Sequence, residues 1–459
     1  MLWRMEKVGC SGRHLWWARR DLSPTAPAAL AAAAQGGMAA LLVLDPHFPQ
    51  TPVRHAWYTA SAAALQEELD GHLDIRQGVP EEIIPAFAGE HHITDVHVTG
   101  ESTPYGMARD ARIEHLLAAR GIRFHRVGSP YLVTPGSLHT RGGIPFSRFT
   151  PFFRAWLSSI EPVATPKLRA SWLTVPSRFP IALPHHPYLP APGHTAAMER
   201  LQVFIDHQLA SYDSERDRPD LEGTSGLSPY LKVGSLHPRD ILSAVSTHPS
   251  RIPFLRQLAW REFFADLLHH DPESVTVNWA PAFRGFPWED TSTLREAIAA
   301  WKEGRTGYPL VDAGMRELLA TGTMHNRVRM VAASFLVKDL NVHWSIGARH
   351  FMDHLIDGDL ASNTHNWQWV AGSGADAAPY FRIFNPTLQA KRFDPEGTYI
   401  RQYVPELASL PLPDLFEPWK SVLRPRVYPH PIVDHAKAQR AAQARYHAFR
   451  ASARHQRDD

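Results

Sequence analysis

Between residues 128 and 196 a proline recurs every few positions: Pro130, Pro135, Pro145, Pro151, Pro162, Pro166, Pro176, Pro180, Pro184, Pro187, Pro190 and Pro192. Each one fixes φ and removes a backbone donor, so neither a regular helix nor an internal strand is expected there. Phe146, Phe149, Phe152, Phe153, Trp156 and Trp172 are interleaved with these prolines. Disordered segments lack such aromatics, so the stretch reads as an ordered connection laid over the surface. A chain built this way is expected to fold as two units, 14–127 and 197–459, joined by 128–196.

The first unit alternates strand and helix signals. His14–Arg19, Met38–Leu44, Ile93–Val98 and Arg123–Val127 read as strands, with helices over Ala56–Leu69 and Ala108–Arg120 between them. Apolar strands separated by helices imply βαβ units and a doubly wound parallel sheet, whose ligands sit beyond the carboxyl ends of the strands. The second unit is helical. Val328, Val331, Ala332, Phe335 and Leu336 share one face of a buried helix. Residues 436–459, with six Lys/Arg and two Asp, read as an exposed terminal helix. The fold class expected is therefore α/β plus all-α.

Composition narrows the function. One cysteine, Cys10, excludes a disulfide scaffold and a Cys-based zinc site and suits a reduced, cytoplasmic setting. No apolar run is long enough to cross a membrane, so no membrane partner is expected. Met1–Arg13 carries Arg4, Glu6, Lys7 and Arg13 without an apolar core, which reads as a loose extension and not as a signal peptide. The formal charge of +2 requires any nucleic-acid partner to meet a local basic face. Fourteen tryptophans are either core or chemistry, and their number does not decide between the two.

Several apparent motifs fail on context. Gly372–Ala377 matches G-x-G-x-x-A with Asp394 downstream, but Pro379 and Pro386 interrupt the helix that a dinucleotide fingerprint needs, and no βαβ unit surrounds it. His91, His92 and His97 lack the spacing of a zinc site. Asp357-Gly358-Asp359 offers only two carboxylates, and hard cations want more oxygens. Other segments cluster. Thr224-Ser225-Gly226-Leu227-Ser228-Pro229 sets three hydroxyls at a turn before a helix, an anion cradle. Trp260-Arg261-Glu262-Phe263, Met324–Met330 and Asn363–Trp369 put polar and aromatic groups at further helix ends. Together they suit a large, aromatic, phosphate-bearing cofactor.

These segments, with 304–316 (GRTGYPLVDAGMR), 324–340, 355–369 and 376–395, resemble the cryptochrome/photolyase family, most closely class I cyclobutane pyrimidine dimer photolyases of bacteria. The resemblance is dense over 200–435 and looser over 14–125, where HLWWARRDL (14–22) is similar to the family's first strand. It implies an N-terminal α/β antenna domain, a long loop and an all-helical domain that holds FAD.

By that resemblance, Tyr212, Thr224, Ser225, Leu227 and Ser228 surround the FAD phosphates and ribityl chain, with Arg261 also on the cofactor. Arg329 pairs with Asp357 near the flavin ring, Asp359 lies beside it, and Asn363 faces N5. Trp367 and Trp344 are the inner members of an electron-transfer chain. Trp288 is the outer one, at a spacing from Trp301 longer than the family's. Trp260 and Trp369 sandwich the flipped lesion, as base extrusion requires. Asn326 and Met330 line the same pocket. Gln257 stands where many relatives have Glu. An amide still donates to a carbonyl oxygen but has no acidic proton to give. Arg327 and Arg382 resemble DNA-backbone contacts, joined by Lys391-Arg392.

The implied activity is light-driven repair of cyclobutane pyrimidine dimers by electron transfer from reduced FAD, in a monomer acting on UV-damaged DNA in a bacterial cytoplasm. A second, antenna chromophore would be FMN, a deazaflavin or a folate, with Arg54, Tyr105 and Asp110 as its lining; the sequence does not separate the three. The alternatives are a cryptochrome-like photoreceptor without repair, disfavoured by Asn363, and a (6-4) photolyase, disfavoured by Asn326 and Met330 in place of a catalytic histidine pair.

Overall fold

The computed structural model describes residues 12–25, 28–48, 51–162, 170–173, 175, 186–377, 379–380 and 382–458. Cys10 and all but the last two residues of the Met1–Arg13 extension lie outside them. The first unit runs β1 (Arg13–Ala18), α1 (Ala28–Ala33), β2 (Gly37–Leu44), α2 (Pro52–Glu68), β3 (Leu73–Gln77), α3 (Pro80–Glu90), β4 (Asp95–Val98), α4 (Pro104–Ala118) and β5 (Arg123–Arg126). All strands are parallel, in the order β3-β2-β1-β4-β5, with Trp16 opposite Ala40 and Leu15 opposite Val96. A short β6 (Ser171–Trp172) pairs with Gly37 and Met38, before β3 joins β2 at Ala40. The winding reverses between β1 and β4, which makes the carboxyl ends of those two strands the natural crevice.

Alternation along the strands sorts the core. Leu15, Trp17, Ala39, Leu41 and Val43 face α3 and α4 and bury Ile84, Phe87, Ile113 and Leu117. Trp16, Ala18, Met38, Ala40 and Leu42 face the other way, into one apolar cluster that continues through Trp57 and Tyr230 to Phe254, Leu258 and Phe263 of the helical unit. The two units thus share a core, as a sheet buried on both faces demands.

The connection contains a helix that the proline density argued against: α5 (Phe149–Ser159). Its only proline, Pro151, lies in the first turn, where the missing N–H has no intrahelical partner to lose. Phe149, Phe152, Phe153 and Trp156 are its buried face. The strand β3 was also absent from the sequence reading, because LDIRQ mixes charge into a short apolar run. Proline at the first turn likewise starts α2 and α4 earlier than the periodicity suggested, at Pro52 and Pro104.

The helical unit runs α6 (His194–His207), α7 (Tyr212–Glu215), α8 (Ser228–Val233), α9 (Pro238–Val245), α10 (Arg251–His270), α11 (Arg295–Lys302), α12 (Pro309–Thr321), α13 (Asn326–Ser334), α14 (Trp344–His354), α15 (Leu360–Ala371), α16 (Pro386–Phe393), α17 (Thr398–Tyr403), α18 (Leu412–Phe416) and α19 (His435–Asp458). Phe335 and Leu336 are fully buried as expected, but they sit in a π-helical turn, Phe335–Asp339, that continues α13. Among the described residues no helix is long and apolar enough to cross a membrane.

Candidate active site

The helix α15 organises the centre. Asp359 is its N-cap, accepting from Ser362 N at 3.0 Å. The same carboxylate accepts from Arg20 Nη2 at 2.8 Å, tying the helix start to the α/β unit. Burial works against its charge, but Arg20, Lys232 and Arg261 outweigh it and hold the acid well below the usual carboxylate range. Lys232 is shifted the other way from an ordinary lysine: burial, and then Arg20, bring its ammonium down to about 7 even though Asp359 pulls it up.

One turn into α15, Asn363 is buried and donates Nδ2 to Ala348 O of α14 at 2.9 Å. Trp367 and Trp369, two residues apart, lie on different sides of the helix. Trp367 is buried, edge-on to Phe351 at 4.9 Å and to Trp301 at 6.0 Å. A Cβ at Gly347 of α14 would collide with its ring, so α14 lies directly on it. Trp369 is half-buried.

Trp344 opens α14. It is buried, and its Nε1 donates to Asn278 Oδ1 at 2.7 Å. His343 bridges it to half-buried Trp288, with ring centroids 5.2 Å from Trp344 and 5.4 Å from Trp288. The sequence reading missed His343, which there is only one of 27 histidines.

The Arg329–Asp357 pair forms at 2.9 Å, and Ser228 Oγ donates to the same Asp357 oxygen at 2.7 Å. Asp357 Oδ1 is buried and meets no partner among the described residues. Both aspartates of 357–359 are thus held by cations, and among the described residues no His/Cys/Asp/Glu group is arranged to bind a metal. Leu227 and Tyr212 are buried, the latter edge-on to Phe204 and Phe254. Thr224 and Ser225 are half-buried in the loop before α8, and Ser225 Oγ accepts from Leu227 N at 3.4 Å. The orphaned Asp357 oxygen and the hydroxyl-lined loop fit a bulky ligand that carries both hydrogen-bond donors and phosphates. Arg261 is directed at the domain boundary, donating to Pro130 O and Leu231 O and covering the Tyr131 ring at 4.4 Å.

The remaining site candidates lie on α10, α13 and α15 and in the segments beyond them. Gln257 and Trp260 are half-buried on α10, and Asn326 and Met330 touch one turn apart on α13, Nδ2 to Sδ at 3.8 Å. Trp260 stacks face to face on Phe149 of α5, which sequence reasoning counted only as packing. Arg382 is exposed and its guanidinium meets no partner among the described residues. Arg327 is engaged by Asp217 at 2.7 Å and lies over Phe393 at 4.3 Å. Lys391 pairs with Glu417 at 2.8 Å, and Arg392 is exposed beside Phe393.

The three antenna candidates have different partners. Tyr105 donates to Asp45 at 2.6 Å, and Asp110 is buried in a pair with Arg19 at 2.5 Å and Arg109 at 2.9 Å. Arg54 instead crosses to the helical unit, donating to Met352 O and, at 3.1 Å, to Gly358 O. The apparent dinucleotide fingerprint is a helix end: Gly372, at φ +87°, closes α15, and Asp376 accepts from Phe149 N and Arg148 Nη1, each at 3.2 Å.

Residues 14–169 match the DNA photolyase family model, and residues 254–448 match that of the FAD binding domain of DNA photolyase. The chain is 38% identical over 470 residues to the deoxyribodipyrimidine photo-lyase of Agrobacterium fabrum, covering 95% of this chain and 97% of the relative. Against the Escherichia coli deoxyribodipyrimidine photo-lyase the identity is 36%, over 95% and 99%. A crystal structure of a bacterial class III photolyase from Agrobacterium tumefaciens superposes with a TM-score of 0.88 at 36% identity, covering 97% of this chain and all of that one. An archaeal photolyase from Sulfolobus tokodaii, solved with two FAD molecules, gives 0.82 at 28% identity, over 95% and 99%.

Proposed function

The chain belongs to the cryptochrome/photolyase family, and on that premise we propose that it repairs cyclobutane pyrimidine dimers in UV-damaged DNA, as a monomer in the bacterial cytoplasm. Residues 14–127 serve as the antenna domain, 128–196 as the connection, and 197–459 as the part that binds FAD and DNA. Tyr212, Thr224, Ser225, Leu227, Ser228, Arg329, Asp357, Asp359 and Asn363 hold FAD. When bound, reduced FAD supplies the photoexcited electron that opens the cyclobutane ring.

The protein's own work is orientation, exclusion of water and electrostatics. Trp260 and Trp369 present flat apolar walls to the extruded bases, the contact that replaces lost stacking. Gln257 and Asn326 offer amide donors to the pyrimidine carbonyls, and Met330 fills the remaining wall. The Arg329 guanidinium compensates Asp357, so the inner pocket carries a balanced pair and not a lone buried charge. Asn363 keeps a neutral amide at the pocket, anchored by Ala348 O. Trp288, His343 and Trp344 give an aromatic route inward from the half-buried outer end, with Trp367 next on α15. Arg382 and Arg392 contact phosphates flanking the lesion, positioning the duplex without reading sequence. Arg327, held by Asp217, orients α13 instead.

The observation that carries this reading is α15, which sets Asn363 and Trp367 on one face against α14 and turns half-buried Trp369 away from them. Its test is illumination of the purified, reduced protein with oligonucleotides bearing either a cyclobutane dimer or a (6-4) lesion. Repair of the first and not the second is expected. Repair of the (6-4) lesion, or of neither, overturns the reading.

A further inference from the structure

Arg200 lies on α6 behind the loop 224–228. Its Nε donates to Ser225 O at 2.7 Å and its Nη2 to Thr224 O at 3.1 Å and to Gln208 Oε1. Gln208 in turn donates to Glu222 O at 2.6 Å, so the fork is itself held in place. A trans peptide points its C=O and N–H in opposite directions. With the carbonyls of Thr224 and Ser225 drawn to Arg200, the N–H groups of Ser225 and Gly226 face away from it. Neither meets an acceptor among the described residues. Gly226 sits at φ +66°, and a Cβ there would lie 3.3 Å from Arg200 Nε, so glycine both permits the turn and lets the guanidinium approach. No carboxylate lies within ion-pair distance of Arg200 among the described residues, which leaves its charge uncompensated behind two free amides and three hydroxyl side chains.

We propose that Arg200 is the positioning residue of a diphosphate-binding loop. It draws two carbonyls back, so that two amides face a dinucleotide's phosphates, and its charge balances theirs from behind. This deepens the FAD reading above and rests on it. Such an arrangement of successive N–H groups is a concavity suited to anions, and nothing in the local sequence announces it, because Arg200 lies more than twenty residues before the loop.

The test uses the flavin-loaded protein and the rate at which FAD is released, followed by the rise in flavin fluorescence at low and high sodium chloride. Arg200→Gln is expected to release FAD about tenfold faster at low salt, the loss of hydrogen bonds from a charged donor. Its release rate should depend less on salt than the wild type's. Arg200→Lys keeps the charge but not the fork, so faster release with wild-type salt dependence is expected. A merely structural role would speed release without moving the salt dependence, and that result overturns the proposal, as does wild-type release from both variants. If wild-type protein carries no FAD, the cofactor reading itself fails, a distinct outcome.

Discussion

Phe149 lies flat against Trp260, with ring centroids 3.7 Å apart and planes 5° apart. The first residue of α5, in the connection, thus covers one face of the tryptophan proposed to stack on the lesion. Arg256, one turn before Trp260, also lies over Phe149, at 5.0 Å. The Trp260 ring is fixed from one side, and a base can meet only what that stack leaves open.

Trp260→Ala therefore removes a preformed wall. A base–aromatic stack is worth about 1–3 kcal/mol, so affinity for dimer-containing DNA falls about 5- to 150-fold. Binding to undamaged duplex, which rests on phosphate contacts, stays within about twofold. Equal losses on the two DNAs by fluorescence anisotropy contradict the stacking role. Phe149→Leu should lose part of the same discrimination by loosening the indole.

Trp344 and Trp288 separate two functions. Phenylalanine at either place abolishes light-driven reduction of the oxidised flavin but leaves repair by chemically reduced protein intact. Absorbance under illumination and a repair assay read the two independently. Loss of both activities in Trp344→Phe indicates a folding defect, whereas retained photoreduction removes Trp344 from the electron path.

Glu262 ties the connection to the helix that bears Trp260. Its buried carboxylate accepts from Leu132 N at 2.7 Å, Val133 N at 3.0 Å and Trp156 Nε1 at 2.6 Å. Burial raises its pKa against the pull of those three donors. Glu262→Ala leaves all three donors unpaired, and at about 1–3 kcal/mol per orphan the loss is 3 kcal/mol or more. Denaturant unfolding measures it; a loss below about 1 kcal/mol contradicts the assignment.

Acid stability follows from buried histidines. Burial lowers His365 to about 4, and His325 and His97 to about 4 as well, the last with help from His125 and His14. Between pH 6.5 and 4 the unfolded chain takes up protons on these rings while the folded chain does not. Stability is therefore flat with respect to them above about pH 6.5 and falls as the pH drops toward 4, by up to about 1.4 kcal/mol per pH unit for each ring. His365→Gln should remove one proton's worth of that slope in urea titrations at pH 6 and 5. An unchanged slope contradicts the burial argument.

Much of this was legible in the sequence because the residues involved are close together in it. Asn363, Trp367 and Trp369 share one helix, and their spacing alone puts the first two on one face and Trp369 on another. The strands β1 and β2 announced themselves as continuous apolar runs. What escaped was set by distance along the chain. Phe149 reaches Trp260, Arg200 reaches Ser225, and Arg54 reaches Gly358 only after folding, and no periodicity encodes those meetings. The helix α5 escaped because proline density was weighed by number, whereas position decides: Pro151 in a first turn costs nothing. The ion pairs of Arg327 and Lys391 were not legible either, because Asp217 and Glu417 that engage them are remote in sequence.

The central claim is that one pocket couples a reduced flavin to a cyclobutane dimer held by Trp260 and Trp369. Its most direct measurement is dimer repair by the reduced, purified protein under blue light, beside a dark control and the Trp260→Ala variant. Light-dependent conversion of the dimer to two pyrimidines, weakened at limiting DNA in Trp260→Ala, is the predicted result. No conversion of the dimer in the light by wild-type protein that carries reduced FAD would contradict the account.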